Sequence, residues 1–174
     1  QQGQHHCHDR NEHQDQIAAV MMEPARSEHP EPGYLEGVKE LAHRHGAQLI
    51  FDEVSCGWRE SIGGMQTYLN VIPDMTVLAK GMSNGYPMGA VVGTREAMEQ
   101  AQIMFISSSY WTDNIGLTAA LTTIRELKKR DSETHLREMG EKTAKSLNEA
   151  ITSAGLSGSC MGFPTTPNLV LDLP

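Results

Sequence analysis

The chain has 174 residues, 39% apolar and 21% charged, with 16 Gly and 8 Pro, a balance that fits a globular sequence and excludes collagen-like or wholly disordered chains. Lys and Arg number 14 against 22 Asp and Glu, a formal charge of −8, which argues against a general electrostatic grip on nucleic acid or an anionic membrane surface. The longest apolar runs, such as Ile17 to Met22, fall short of the roughly 20 residues a bilayer span needs, and no charged-then-apolar signal opens the chain, so a cytoplasmic protein is expected.

Residues 1–16 hold five Gln, four of the eight His and no large aliphatic side chain, so they are expected to be a poorly ordered polar leader. His5, His6, Cys7 and His8 are adjacent, and a tetrahedral metal centre wants a distant second pair. A solvated leader is therefore preferred and no metal site is expected. From Ile17 the chain reads as alternating α/β. Ile17 to Met22 is a continuous apolar run ended by Glu23-Pro24, the pattern of a parallel strand buried on both faces. Leu35, Val38, Leu41 and Ala42 recur at helical spacing until Gly46, and Gln48 to Phe51 is a second strand running into Asp52-Glu53-Val54. Strand, helix and strand in this order predict a βαβ crossover.

A third strand, Met75 to Ala79, ends at Lys80, and Gly81 to Gly89 turns the chain into a fourth, Ala90 to Val92. Leu117, Leu121, Ile124 and Leu127 mark one helix, and Leu136, Met139, Thr143, Leu147, Ala150 and Ile151 mark another of about five turns, stopped by Gly155. The second is expected to link residues 17–131, part of a larger domain, to a second domain that begins within residues 132–174. The chain opens on Gln1 rather than Met and stops inside a strand-like run from Asn168 to Leu173, so a fragment, incomplete at both ends, is expected. Cys7, Cys56 and Cys160 show no C-x-x-C spacing, and unpaired thiols fit a reducing compartment.

In an open parallel sheet, ligands bind where the carboxyl ends of the strands gather. Glu23, Asp52 and Lys80 each follow an apolar strand and so fall on that rim. A lysine beside a carboxylate on a partly desolvated rim is a reactive combination, while strand-end Asp and Lys are equally common as solvated loop starts.

The stretches Met21 to Gly46, Ile50 to Arg59 (IFDEVSCGWR) and Gly63 to Gly93 resemble the class III aminotransferases, pyridoxal-phosphate enzymes of aspartate-aminotransferase fold. Within them the glutamate-1-semialdehyde aminomutase branch is the nearest likeness, because Gly57-Trp58-Arg59 follows the acidic motif with no glycine between. The joint pattern is a D-E-V strand end, a K-G strand end 28 residues beyond Asp52, and then Y-P-x-G-A. The resemblance implies a fold type I large domain with a mostly parallel sheet and flanking helices. It also implies pyridoxal 5'-phosphate as cofactor, a small-molecule amino donor and carbonyl acceptor, and a homodimer whose active site lies between subunits.

On that resemblance Lys80 would be the Schiff-base lysine and proton carrier, Asp52 would face the pyridine nitrogen, and Val54 would pack on the ring, although strand-end core packing explains Val54 equally well. Glu23, Arg26 and Arg59 would contact substrate or form structural ion pairs, the second being the safer reading. Ser109 would bind the cofactor phosphate of the partner subunit, or Thr112 if the gap is moved, and the Ser107 to Ser109 cluster reads equally as N-capping chemistry. The family's upstream phosphate-binding turn does not occur in this sequence, so weak cofactor retention is expected of the chain alone. Racemisation or decarboxylation on the same fold, and a non-catalytic remnant that keeps the sheet and dimer surface, are the competing readings.

Overall fold

The computed structural model describes residues 16–111 and 113–172. A four-stranded sheet has the order β1 (Ala19–Met22), β2 (Gln48–Asp52), β3 (Met75–Leu78), β4 (Ala90–Gly93). β1 and β3 run parallel to β2, and β4 runs antiparallel to β3. The fold is therefore α/β with a mostly parallel sheet, as the strand and helix pattern predicts.

Helix α1 (Tyr34–Arg44) makes the crossover from β1 to β2. It ends where Gly46 takes φ +71°, letting Ala47 N–H reach back to Ala42 O at 2.9 Å. Leu35 of α1, with Leu49 and Phe51 of β2 and Val71 beyond α2 (Met65–Tyr68), forms a core against one sheet face, and both strand residues are fully buried. The pairing register places Val20, Met22, Thr76 and Leu78 on that same face. The opposite face carries Met21, Ile50, Asp52 and Val77. Here the sequence expectation needs correction: β1 is not buried on both faces, for Met21 is 57% exposed and Ile17 49%. Among the described residues β1 is an edge strand with one neighbour, and its run of apolar residues faces helix on one side only.

Thr94 caps the short helix α3 (Arg95–Glu99), its hydroxyl accepting Ala97 N–H at 3.2 Å. Two long helices follow, α4 (Asn114–Lys129) and α5 (Ser132–Ser153). Asp113 caps α4 by accepting Ile115 N–H at 2.9 Å, so the N-cap is an aspartate and not a member of the Ser107 to Ser109 cluster. At 22 residues α5 has about six turns, one more than its apolar spacing suggests. Gly155 (φ +64°) ends it as predicted, with Leu156 N–H bonded to Ile151 O at 3.1 Å.

Strand β6 (Asn168–Leu171) pairs antiparallel with β5 (Gly158–Met161), an element the sequence reading misses because Gly-Ser-Cys-Met carries no alternation. Asn148 of α5 fixes this hairpin by bonding both the N–H and the carbonyl of Cys160. Among the described residues no helix is long and apolar enough to cross a membrane.

Candidate active site

The rim at the carboxyl ends of β2 and β3 is where the chemistry-bearing residues gather. Asp52 is the last residue of β2 and pairs with Val77, three residues before Lys80. Its Oδ1 accepts Val54 N–H at 3.0 Å, which folds the chain over the strand end. Lys80 opens a single 3-10 turn in the left-handed region, φ +46°, a conformation that costs a non-glycine residue on the order of 1–2 kcal/mol. From there its Nζ donates to Ser55 Oγ at 2.7 Å. The amine is thus tied to the loop that begins at Asp52, and Lys80 and Asp52 belong to one rim.

That loop is anchored from below by Glu53, which the sequence reading passes over. Glu53 is fully buried, and its carboxylate accepts Met65 N–H at 2.6 Å and Gln66 N–H at 2.8 Å, capping α2. Burial raises its pKa above the ordinary value by more than these two donors lower it. Gly64, at φ +84°, lies where any Cβ would overlap a Glu53 carboxylate oxygen, and a Cβ on Gly57 would come within 2.7 Å of Glu53 O. The readable signal was therefore the Gly63-Gly64 pair, marking a close approach to the residue after the strand.

Cys56 lies beside this anchor, and burial, with the charge of Glu53 adding to it, pushes its thiol up to about 12. Such a thiol is no nucleophile. Glu60 is also buried; its Oε1 takes Thr165 N–H at 3.1 Å and Thr165 Oγ1 at 2.6 Å, joining the rim loop to the chain after β5.

The other residues singled out from sequence sit as follows. Val54 is half-buried between Asp52 and Ser55. Glu23 and Arg26 face each other at 4.0 Å, with Arg26 84% exposed, a loose surface pair worth little to stability. Arg59 does not meet an acid: among the described residues none lies within 4.0 Å of it, and its Nε donates to Ser55 O at 2.6 Å. Glu23, Arg26, Ser55, Arg59 and Thr166 line a cleft of about 40 Å³ beside the Lys80–Ser55 contact. Ser109 is exposed in a turn before α4, and among the described residues nothing bonds it to Lys80 or Asp52. Thr112 and the group His5, His6, Cys7 and His8 lie outside the described residues. Among the described residues no three His, Cys, Asp or Glu are placed to hold a metal ion.

For a pyridoxal cofactor the donor set fits in part. A primary amine stands at the rim, and a carboxylate on the open sheet face has, among the described residues, only Oδ1 engaged.

Residues 2–156 match the family model described as Aminotransferase class-III. The chain is 34% identical over 168 residues to glutamate-1-semialdehyde 2,1-aminomutase 2 of Brevibacillus brevis, covering 88% of this chain and 39% of that protein. It is also 34% identical over 160 residues to 3-aminobutyryl-CoA aminotransferase of Cloacimonas acidaminovorans, with the same coverage of each. Among solved structures, an omega-transaminase from Sphaerobacter thermophilus superposes with a TM-score of 0.82 at 29% identity, over 93% of this chain and 39% of that one. The Sphingopyxis sp. MTA144 FumI protein, in its PLP internal aldimine form, shares the fold, with a TM-score of 0.83 at 24% identity over 92% and 40%. The chain thus spans about two-fifths of the length of the relatives it matches.

Proposed function

Because the chain belongs to the class-III aminotransferases, we propose that it carries the catalytic lysine and its acid partner for pyridoxal 5'-phosphate-dependent amino-group transfer. Both an aminotransferase and an aminomutase fit this reading; the partners are a small-molecule amino donor and a carbonyl acceptor. One observation carries it: Lys80 Nζ reaches Ser55 Oγ at 2.7 Å, on the loop that leaves β2 at Asp52. When bound, the cofactor supplies an aldehyde and an electron-accepting ring.

The chain's own residues do the rest. Lys80 would hold the cofactor through its amine and, when that amine is free, carry a proton at Nζ. Asp52 would offer its carboxylate to the pyridine nitrogen and favour its protonated form. Val54 would lie against the ring. Glu23, Arg26 and Arg59 line the cleft next to the amine, Arg59 held there by Ser55 O. Ser109, or Thr112 in its place, would serve the phosphate of a neighbouring subunit, a role that suits the exposure of Ser109.

A homodimer belongs to this reading. Phe105 is 96% exposed, Ile103 80% and Trp111 61%, with Ile115 and Leu117 also open, an apolar surface of the kind a second subunit covers. Residues 17–131 form the cofactor-binding part and residues 132–174 the link and start of a second domain. The buried free thiols Cys56 and Cys160 support a cytoplasmic setting.

Titrating the chain with pyridoxal 5'-phosphate and recording its visible spectrum tests the proposal. A new band that Lys80→Ala removes and Asp52→Asn shifts is expected. A spectrum unaltered by Lys80→Ala would favour the non-catalytic remnant. Adding an amino donor separates transfer from racemisation or decarboxylation, since only transfer leaves the amino group on the cofactor.

A further inference from the structure

We propose that Ser55 is a positioning residue for the Lys80 amine, its hydroxyl fixing where Nζ lies on the rim. The inference rests on the assignment of Lys80 as the reactive lysine and adds a residue the sequence motifs do not single out. A lysine stem has four rotatable carbons and a head with three donors, so an exposed Lys80 would sweep a wide arc unless both ends were held. Its root is set by the left-handed turn at φ +46°. Its tip is set by the bond from Nζ to Ser55 Oγ at 2.7 Å.

Ser55 is itself well placed to serve as that fixed point. Its carbonyl accepts Arg59 Nε at 2.6 Å, and Gly57 N–H closes the turn onto Glu53 O at 2.9 Å. Beneath it the Glu53 carboxylate is locked against Met65 and Gln66 N–H. The hydroxyl therefore projects from an anchored loop, three residues past Asp52, and ties the amine to the loop that leaves β2. The side chain is exposed, so removing the hydroxyl takes nothing from the core.

The test uses the cofactor-free chain, trace acetylation with acetic anhydride at one pH, and mass analysis of the Lys80 peptide with exposed Lys142 as internal reference. Ser55→Val and Ser55→Thr differ only in the hydroxyl at nearly equal volume. The bond that Nζ donates to Ser55 Oγ holds the head of Lys80 against the loop and restricts its approach to the reagent, so Ser55→Val is expected to label Lys80 roughly threefold faster than wild type, the modest effect of one exposed hydrogen bond, with Ser55→Thr restoring the wild-type rate. Equal rates in the Val and Thr variants would overturn the proposal. A parallel sample treated with pyridoxal 5'-phosphate and borohydride separates the two ideas. A Val/Thr contrast without a Lys80 adduct would refute the reactive-lysine assignment, and an adduct without the contrast would refute the role of Ser55.

Discussion

Glu53→Ala is the perturbation that bears most directly on why the rim holds its shape. The substitution removes the acceptor of Met65 N–H (2.6 Å) and Gln66 N–H (2.8 Å) at a fully buried side chain. Each orphaned buried donor costs on the order of 1–3 kcal/mol. The Met65 bond is buried and the Gln66 bond only partly so; one large and one small loss sum to about 3 kcal/mol. With a urea slope near 2 kcal/mol per molar, the unfolding midpoint should fall by about 1.5 M.

The loss should also depend on pH. Because burial raises the folded pKa of Glu53, its stabilising contribution is full below the ordinary carboxylate value and declines as pH rises through the raised one. The Ala variant should therefore differ most from wild type in acid and least in mild alkali. Urea titrations followed by circular dichroism at both ends of that range measure it. A midpoint moved by less than about 0.3 M, or a difference that grows with pH, would refute the anchoring argument.

Three further outcomes are expected. Cys56, with its thiol at about 12, should resist iodoacetamide at pH 8 in the folded chain and react once urea unfolds it, which peptide mapping would follow. Asp74 is opposed by burial, but Leu49 N–H, His43 and Lys39 together lower its pKa, so its contribution is present above the ordinary Asp value and lost as pH falls through the lowered one. Asp74→Asn should cost about 1 kcal/mol at pH 7, with the deficit vanishing in acid, as read by thermal unfolding. Gly140→Ala in the middle of α5 would ordinarily stabilise a helix, but a Cβ there overlaps Pro164 O, so a net loss of about 1–2 kcal/mol is expected in the same assay.

The legible parts of the molecule were those with local causes. β2 and β3 announce themselves as apolar runs ending in Asp52 and Lys80, and Gly46 and Gly155 stop their helices by backbone freedom alone. The parts that escaped depend on distant partners. Nothing local tells that Glu60 takes Thr165, 105 residues on, or that Lys80 is met by Ser55 rather than by a carboxylate. Nor does the sequence tell that the Arg59 guanidinium donates to the Ser55 carbonyl four residues back, with no acid within 4.0 Å among the described residues. The exposed face of β1 is not legible, because an apolar run tells what a strand prefers and not whether a covering layer lies over both sides.

Everything proposed for the rim depends on Lys80 being the amine to which a pyridoxal aldehyde attaches. Incubating the chain with pyridoxal 5'-phosphate, reducing with borohydride and mapping the peptides by mass tests it most directly. One dominant reduced adduct is expected, on Lys80, lost in Lys80→Arg. An adduct spread evenly over surface lysines such as Lys39, Lys129 and Lys145, with Lys80 no more labelled than they are, would contradict it.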